Sequence, residues 1–160
     1  MHMRFGVSSS EPLSSLLVLR EPNIFQPTLD DYPGHEEWLR RLPSDFRVMR
    51  KMAQVAFDGV SPIGALVYST ELSPDKLSNI RNISVLPHYR ELGVATKLLL
   101  QFEIEAKERL GAAGATVDTK LDNDSVIHFF IKHGYDMLDE RDLYGSGRPD
   151  IILGKSFSAN

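Results

Sequence analysis

The segment Ile80–Leu121 constrains the fold more than any other part of this sequence. It opens with Ile80–Leu86, a stretch rich in β-branched residues that favours a strand. A long helical pattern follows, because apolar side chains recur three and four positions apart between Ala95 and Leu110. Ala115–Leu121 is again typical of a strand. A strand, a helix and a strand in this order predict a right-handed crossover between two parallel strands.

Shorter patterns predict the remaining elements. They indicate a strand at Ser14–Arg20, a helix at His35–Leu42, a hairpin of Met52–Phe57 and Ile63–Ser69 around Asp58 and Gly59, a polar connection at Glu71–Asn79, a helix that begins after Asn123 or Asp124 and ends at Gly134, and two closing strands around Gly145, Ser146 and Gly147. This order predicts a mixed α/β (α+β) fold with a mostly antiparallel central sheet, one parallel crossover and flanking helices. We expect a single domain over residues 14–156 and a flexible N-terminal segment over residues 1–13.

Composition excludes several classes of protein. The 160 residues carry a net charge of -4, which argues against a nucleic-acid binder because such proteins need a basic face. No apolar run is long enough for a transmembrane helix, and the first ten residues lack the apolar core of a signal peptide. The chain has no cysteine, so disulfides, a catalytic thiol and thiolate zinc sites are excluded. We therefore expect a soluble cytoplasmic protein without membrane or nucleic-acid partners.

The turn between the strand Ile80–Leu86 and the following helix is a candidate anion site. Gly93 permits a positive φ or a close approach of the backbone to a ligand. The next residues, Val94, Ala95 and Thr96, supply the free N–H groups of a helix N-terminus, which favour a pyrophosphate. The glycine-rich patterns of the P-loop and of the dinucleotide fold are absent. A plain connection with one glycine is the alternative interpretation.

Several motifs together resemble the GNAT family of acetyl-CoA-dependent N-acetyltransferases. The segment Arg90-Glu91-Leu92-Gly93-Val94-Ala95 matches the family's Arg/Gln-x-x-Gly-x-Gly/Ala loop. Val85 and Pro87 match the Val-x-Pro that precedes this loop. The later series Asn123, Phe130, Lys132, Gly134 and Tyr135 follows the family's spacing of Asn, Tyr-x-Lys-x-Gly-Phe. The resemblance covers about Gln54 to Leu138.

The resemblance implies a binding mode for acetyl-CoA as cosubstrate, with a primary amine as acceptor. The family pattern implies that the pyrophosphate lies on the N–H groups from Leu92 to Thr96, next to Arg90. It implies that the pantetheine arm fills a gap between the strand ending at Val85 and the strand Ala115–Leu121. The thioester carbonyl is expected to meet a backbone N–H near Val85. Asn123 is expected to hold the arm from the other side, beside Phe130; a pure helix N-cap is the alternative role for Asn123.

Two departures from the family pattern leave proton transfer unassigned. Phe130 stands where members often have a Tyr that protonates the leaving thiolate, and Asn79 stands where they often have a Glu that acts as base through water. Asn79 can orient water but cannot take a proton, so it is a candidate catalytic residue only in that sense. The other candidates by residue type are Asp118, His88, Glu71 and Tyr144. Each of these four is at least as well explained as a solvated polar residue.

The sequence does not determine the acceptor or the oligomeric state of the chain. The acceptor can be a small amine, a protein N-terminus or a lysine, and the acidic residues Asp30, Asp31, Glu36 and Glu37 indicate either a cationic acceptor or only a solvated face. An inactive acyl-CoA-binding module and a transferase that uses a larger acyl donor are the alternatives, and a homodimer stays open. No metal is expected, because the segment Asp118–Asp124 lacks the Gly and Glu of a calcium loop.

Overall fold

The computed structural model describes residues 6–7, 12–26, 30, 32, 34–143, 145 and 147–157. Its strands are β1 Gly6–Val7, β2 Lys51–Asp58, β3 Ser61–Ser69, β4 Leu77–Val85, β5 Gly114–Lys120, β6 Asp136–Arg141 and β7 Asp150–Ser156. Its α-helices are α1 Pro12–Leu17, α2 His35–Arg47, α3 Val94–Arg109 and α4 Asp124–Lys132, with 3-10 turns at Val18–Arg20, Pro22–Phe25 and Pro87–Tyr89. Ser146 of the predicted closing turn and the candidate Tyr144 lie outside the described residues.

The seven strands of the described residues form one sheet in the order β1-β2-β3-β4-β5-β7-β6. Strands β4 and β5 are parallel and are joined by α3, whereas the other neighbouring strands are antiparallel. The predicted fold class is therefore confirmed, including the parallel crossover over Ile80–Leu121. The domain limits stay a prediction, although Gly6 and Val7 of the expected flexible segment pair with β2.

The parallel pair β4 and β5 separates halfway along its length. Pairing begins at Leu77 with Gly114 and ends at Ile80 with Val117, whereas β4 continues to Val85. A β-bulge lies at this point, since Tyr68 of β3 is opposite Ile80 and the preceding Val67 is opposite Asn82. A bulge bends its strand and disrupts the ladder. The two strands therefore leave a gap between them at the end of β4 that leads to α3.

Two hydrophobic clusters lie on opposite faces of the sheet, because successive strand residues point to opposite sides. One cluster contains the apolar face of α3, with Leu98, Leu99 and Phe102 fully buried against β2, β3 and β5. The other contains Leu42 and Phe46 of α2. The sheet is thus covered by α3 on one face and by α2 with the N-terminal turns on the other.

The predicted strand Ser14–Arg20 is wrong, because this segment forms α1 and a 3-10 turn. Ser15 and Val18 are buried, and Leu16 and Leu19 pack against the second cluster. These four residues occupy positions i, i+1, i+3 and i+4, which lie on one side of a helix. The leucine-rich run therefore packs on the sheet as the apolar side of a helical segment. The Oγ atom of Ser15 also accepts a hydrogen bond of 3.0 Å from the N–H of Ala53.

Two predicted boundaries also differ from the structure. Helix α2 extends past the predicted end at Leu42, through Pro43, to Arg47. Strand β4 begins at Leu77, so Leu77–Asn79 belongs to a strand and not to the predicted polar connection. These three residues become a strand through their pairing with Gly114–Thr116, a partner that lies far along the sequence.

Candidate active site

The turn before α3 presents backbone N–H groups at the end of β4. Gly93 is the N-cap of α3, with a φ of 83°, and Glu91 also has a positive φ, of 62°. The first intrahelical bond of α3 runs from the N–H of Lys97 to the carbonyl of Gly93, at 3.1 Å. The N–H groups of Val94, Ala95 and Thr96 precede that bond, so they lie at the positive end of the helix dipole. A glycine with positive φ therefore begins the helix where the sequence predicted an anion site.

A cleft of about 430 Å³ lies between this turn and helix α4. Gly93, Val94, Ala95 and Thr96 line one wall, together with Arg90. The other wall is lined by α4 residues at helical spacing, which are Ser125, Val126, Phe129 and Lys132. Sequence reasoning missed Ser125 and Phe129, although the spacing of Ser125, Phe129 and Lys132 places them on one helix face.

His133 joins the two walls of the cleft. Its Nδ1 atom lies 2.7 Å from the carbonyl oxygen of Phe129, and its Nε2 atom lies 3.2 Å from Oγ1 of Thr96. A carbonyl only accepts, so Nδ1 is the donor; in the neutral ring Nε2 then accepts a hydrogen bond from the Thr96 hydroxyl. The first turn of α3 is thereby held against the C-terminal end of α4.

The end of β4 directs two N–H groups into the gap. The N–H of Leu86 bonds to the carbonyl of Ile63 on β3 at 2.8 Å, whereas the carbonyl of Val85 accepts a 2.9 Å bond from Nε of Arg90. Backbone groups alternate in direction along a strand, so the N–H groups of Ile83 and Val85 point away from β3. They point into the space that β5 has left, where Val85 also lines the cleft.

A smaller pocket of about 110 Å³ occupies the gap itself. Ile83 and Ser84 of β4, Val117 and Thr119 of β5, and Asn123 and Phe130 of α4 line it. It shares Ile83, Ser84 and Val126 with the cleft, so the two spaces are adjacent. A path therefore leads from the N-terminus of α3 past the N–H of Val85 into the middle of the sheet.

A sequence model described as the Acetyltransferase (GNAT) family matches residues 11–135. The chain belongs to the GNAT acetyltransferase family. It is 28% identical over 101 residues to the uncharacterized N-acetyltransferase YjcF of Bacillus subtilis strain 168, an alignment that covers 63% of this chain and 67% of that protein.

Solved structures show the same GNAT fold at low identity. The IAA acetyltransferase of Bacillus cereus superimposes with a TM-score of 0.71 at 21% identity, covering 96% of this chain and 100% of that one. A proposed streptothricin acetyltransferase of Bacillus anthracis strain Ames, solved with acetyl coenzyme A, gives 0.61 at 24% identity and covers 68% of this chain. This chain spans 64% of that protein's length. The GNAT fold predicted from the sequence is confirmed.

The predicted site residues of this GNAT chain fall into two groups. The cleft and the gap bring together Val85, Arg90, Gly93, Val94, Ala95, Thr96, Asn123 and Phe130, while Leu92 lies in the turn with its side chain exposed. Asn79 lies elsewhere, in the paired part of β4 and β5, where its Nδ2 donates to Oγ1 of Thr116 at 3.0 Å. Asn79 lies six positions before Val85 along β4, a distance of roughly 20 Å between their Cα atoms. The structure therefore does not bring Asn79 to the end of β4.

The cofactor-binding roles of Asn123 and Phe130 stay predictions. Asn123 is the N-cap of α4, but its side chain makes no capping hydrogen bond; its amide nitrogen lies 3.4 Å from Oγ1 of Thr119 in the gap. Phe130 is fully buried and packs edge-on against Tyr135, with ring centroids 5.1 Å apart. Its ring therefore closes the inner end of the gap.

The candidates for proton transfer are dispersed. Glu71 and His88 are exposed, on the β3–β4 connection and on the 3-10 turn after β4. Tyr89 lines the cleft, but its hydroxyl donates a 2.7 Å bond to Asp58, and this bond raises the pKa of Tyr89 above its usual value. Of the three sequence candidates that lie in the described residues, Asp118 alone lines the gap.

A third pocket, of about 370 Å³, lies on the α2 side of the sheet. Its lining residues include Tyr32, His35, Trp38, Arg41, Arg81 and Asp118. It shares Tyr32, Arg81 and Asp118 with the gap. The gap thus connects the cleft at α3 with an aromatic pocket on the other face of the sheet.

Neither a metal centre nor a membrane span is seen in the described part of the chain. No group of three or more His, Asp or Glu side chains is placed there to hold a metal ion. No helix in the same residues is both long and apolar enough to cross a bilayer.

Proposed function

We propose that this GNAT chain transfers an acetyl group from acetyl-CoA to a primary amine. The observation that carries the proposal is the continuity of the cleft, which runs from the N-terminus of α3 to the N–H of Val85 and into the gap. An anion site, a donor aimed into a gap and a pocket beyond it are the three parts that such a transfer needs.

The N–H groups from Leu92 to Thr96 would hold the pyrophosphate of the cosubstrate. Gly93 permits a close approach, since no atom lies within 4 Å of the position where a Cβ would stand. Arg90 and Lys132 add positive charge to the same cleft. Helix N-termini and cationic side chains together favour a doubly charged group. His133 holds Thr96 in place through its hydroxyl.

The N–H of Val85 would stabilise charge on the thioester carbonyl as the amine attacks. A backbone donor placed where negative charge develops acts without reorganisation during the reaction. Bound acetyl-CoA supplies an activated acyl group and a thiol leaving group whose pKa is about 8.5, so expulsion as thiolate at pH 7 costs only about 2 kcal/mol. A general acid at Phe130 is therefore dispensable.

The acceptor amine would enter from the α2 side of the sheet. The third pocket leads to the gap through Tyr32, Arg81 and Asp118, so an amine bound there reaches the thioester from the face opposite α3. Asp118 is the carboxylate at this junction and can orient the amine or accept its proton. The proposal assigns Asn79 no contact with the reacting groups.

Mass spectrometry of reactions with a panel of primary amines tests the proposal. We expect release of CoA and addition of one acetyl group to an amine, together with CoA binding by calorimetry. CoA binding without product from any amine would favour the acyl-CoA-binding module, and faster reaction with butyryl-CoA than with acetyl-CoA would favour a larger acyl donor.

A further inference from the structure

The third pocket has three aromatic walls. The ring of His35 lies over that of Trp38 with centroids 4.2 Å apart, and the ring of Tyr32 is 5.9 Å from that of His35. Burial lowers the pKa of His35 from its usual value to about 4, so the imidazole is neutral at pH 7. These walls favour an apolar body in the ligand.

The pocket also holds a polar atom that is buried without a partner. The Nε2 atom of His35 is buried and has no hydrogen-bond partner among the described residues. Buried polar atoms are nearly always paired in native proteins. Because this nitrogen is closed to solvent, the ring of His35 offers a ligand in the pocket its apolar surface and not a hydrogen bond.

The charges of the pocket are unequal. Arg41 and Arg81 are exposed, and in the described residues neither makes an ion pair. Glu37 lines the pocket, but its carboxylate is paired with Arg40 at 2.5 Å. The pocket is thus lined by two guanidinium groups that have no ion pair within the described part of the chain, together with the carboxylates of Glu37 and Asp118.

This distribution disfavours a polycationic acceptor. A second or third ammonium group would lie against Arg41 and Arg81, and like charges repel. Asp30, one of the acidic residues that indicated a cationic acceptor, accepts a 3.0 Å bond from Nε2 of Gln26 and lines a different cleft. Asp31 lies outside the described residues.

We propose that the acceptor is an amino acid with an apolar side chain, whose carboxylate binds Arg41 and Arg81 and whose amine lies beside Asp118 at the gap. Guanidinium groups match carboxylates in geometry and charge. The side chain of the amino acid would lie against Trp38 and His35. This inference rests on the proposed acetyl transfer and adds the class of its acceptor.

Pairs of amino acids and their amides test the carboxylate. Phenylalanine, leucine and tyrosine are compared with phenylalaninamide, leucinamide and tyrosinamide, which keep the amine and the side chain and lose only the negative charge. We expect kcat/KM to be at least about tenfold higher for the acid of at least one pair. The amide has the less basic amine, so its intrinsic reactivity acts against this result and makes it informative.

Substitutions assign the preference to the two arginines. Arg81→Gln and Arg41→Gln should each raise KM for the acid more than KM for the amide, so that the acid-to-amide ratio of kcat/KM approaches one. Arg47→Gln is the matched control, because Arg47 is exposed on the same helix as Arg41 and outside this pocket. An acid-to-amide ratio of one or less for all pairs in the wild type, or a ratio that survives both substitutions, would overturn the inference.

Equilibrium binding separates failure of the inference from failure of the proposed function. The same acids and amides are titrated into the CoA-bound protein by calorimetry. If no amine is acetylated but the acids still bind more tightly than the amides, the proposed acetyl transfer is wrong and the third pocket is still an amino-acid site. If amides and other amines are acetylated without any preference for the acids, the proposed acetyl transfer holds and the proposed carboxylate recognition in the third pocket is wrong.

Discussion

The Nε atom of Arg90 donates a 2.9 Å hydrogen bond to the carbonyl oxygen of Val85. The same peptide unit is held from its other side, because the N–H of Leu86 bonds to Ile63 of β3. The final peptide of β4 is thus clamped between the neighbouring strand and the turn that follows it. Arg90 thereby fixes the orientation of the strand end that carries the proposed thioester donor.

Substitutions of Arg90 should distinguish the effect of its positive charge from the effect of its hydrogen bond to Val85. Arg90→Ala should lower CoA affinity and kcat, each by about tenfold, because it removes both a cation from the cleft and one hydrogen bond. Arg90→Lys should recover CoA affinity and leave kcat low, since an ammonium lacks the planar fork of a guanidinium. Calorimetry and steady-state kinetics measure the two effects. Full recovery of kcat in Arg90→Lys would show that the hydrogen bond from the guanidinium to Val85 does not contribute to turnover.

Gly93→Glu should abolish CoA binding. The carboxylate would occupy and repel the position proposed for the pyrophosphate, and we expect a loss of affinity of at least about a hundredfold, or ~2.7 kcal/mol. Gly59→Glu is the matched control, because Gly59 also has a positive φ, of 61°, and also has no atom within 4 Å of its Cβ position. It lies in the β2–β3 turn, so it carries the same backbone strain without contact with the cleft. Similar losses of CoA affinity in both variants would attribute the effect to strain alone.

The turn before α3 was predictable because its features are local. A glycine at the helix start and the free N–H groups after it follow from neighbouring residues, and Gly93 does adopt a positive φ there. The structure of Ser14–Arg20 was not predictable in this way. The same leucine-rich run fits a strand or a helix until the sheet that it packs against is known.

The third pocket was beyond sequence reasoning for a different reason. Its residues come from three separate parts of the chain, which are the segment with Tyr32 and Trp38, strand β4 with Arg81 and strand β5 with Asp118, and these parts meet where β4 and β5 diverge. The extent of that divergence depends on where the parallel pairing ends, which no local pattern encodes. The same limit applies to Asn79, whose alignment with a family position did not reveal its bond to Thr116.

The stability of the protein should depend on pH through His35. The folded-state pKa of about 4 lies below the unfolded value of about 6.5, so the unfolded chain takes up a proton first as pH falls. Above about pH 6.5 both states are neutral and His35 has no pH-dependent effect. Between about pH 6.5 and 4 the free energy of unfolding should fall. Because the ring is only partly buried, we expect a loss of about 1–2 kcal/mol over this window.

Denaturant unfolding of His35→Gln isolates this contribution. The difference in unfolding free energy between wild type and variant should decrease as pH is lowered from 7 to 4. His128→Gln, at an exposed position on α4, controls for the removal of a histidine as such. A wild-type-to-variant difference that stays constant with pH would show that His35 titrates normally.

Loss of one partner from the buried pair of Lys120 and Asp150 should strongly destabilise the protein. Both side chains are fully buried, with Nζ 3.2 Å from Oδ1, and Asp150 also accepts a bond from the N–H of Leu143. Asp150→Asn would leave the Lys120 charge buried without its counter-ion, at a cost of about 3–5 kcal/mol. The exposed pair Arg148–Asp122 is the control, and Asp122→Asn should leave the denaturation midpoint unchanged. Replacement of both partners, Lys120→Met with Asp150→Leu, should be less destabilising than Asp150→Asn alone.

The pH dependence of acetyl transfer should follow the acceptor. The α-amine of a peptide N-terminus, with a pKa of about 8, needs only about 1.4 kcal/mol to become neutral at pH 7, whereas a lysine-like amine, with a pKa near 10.4, needs over about 4 kcal/mol. Asp118 is the one carboxylate found at the junction of the gap and the third pocket in the described residues.

We therefore expect a preference for amines of low pKa within one charge class, and a kcat/KM that rises with pH through the acceptor's own pKa. Measurement of kcat/KM against pH for two acceptors of different pKa checks this, because the inflection should move with the acceptor. An inflection near pH 5–6 that is the same for both acceptors would instead reveal a base on the enzyme. Loss of that inflection in Asp118→Asn, with CoA affinity unchanged, would then identify Asp118 as the base.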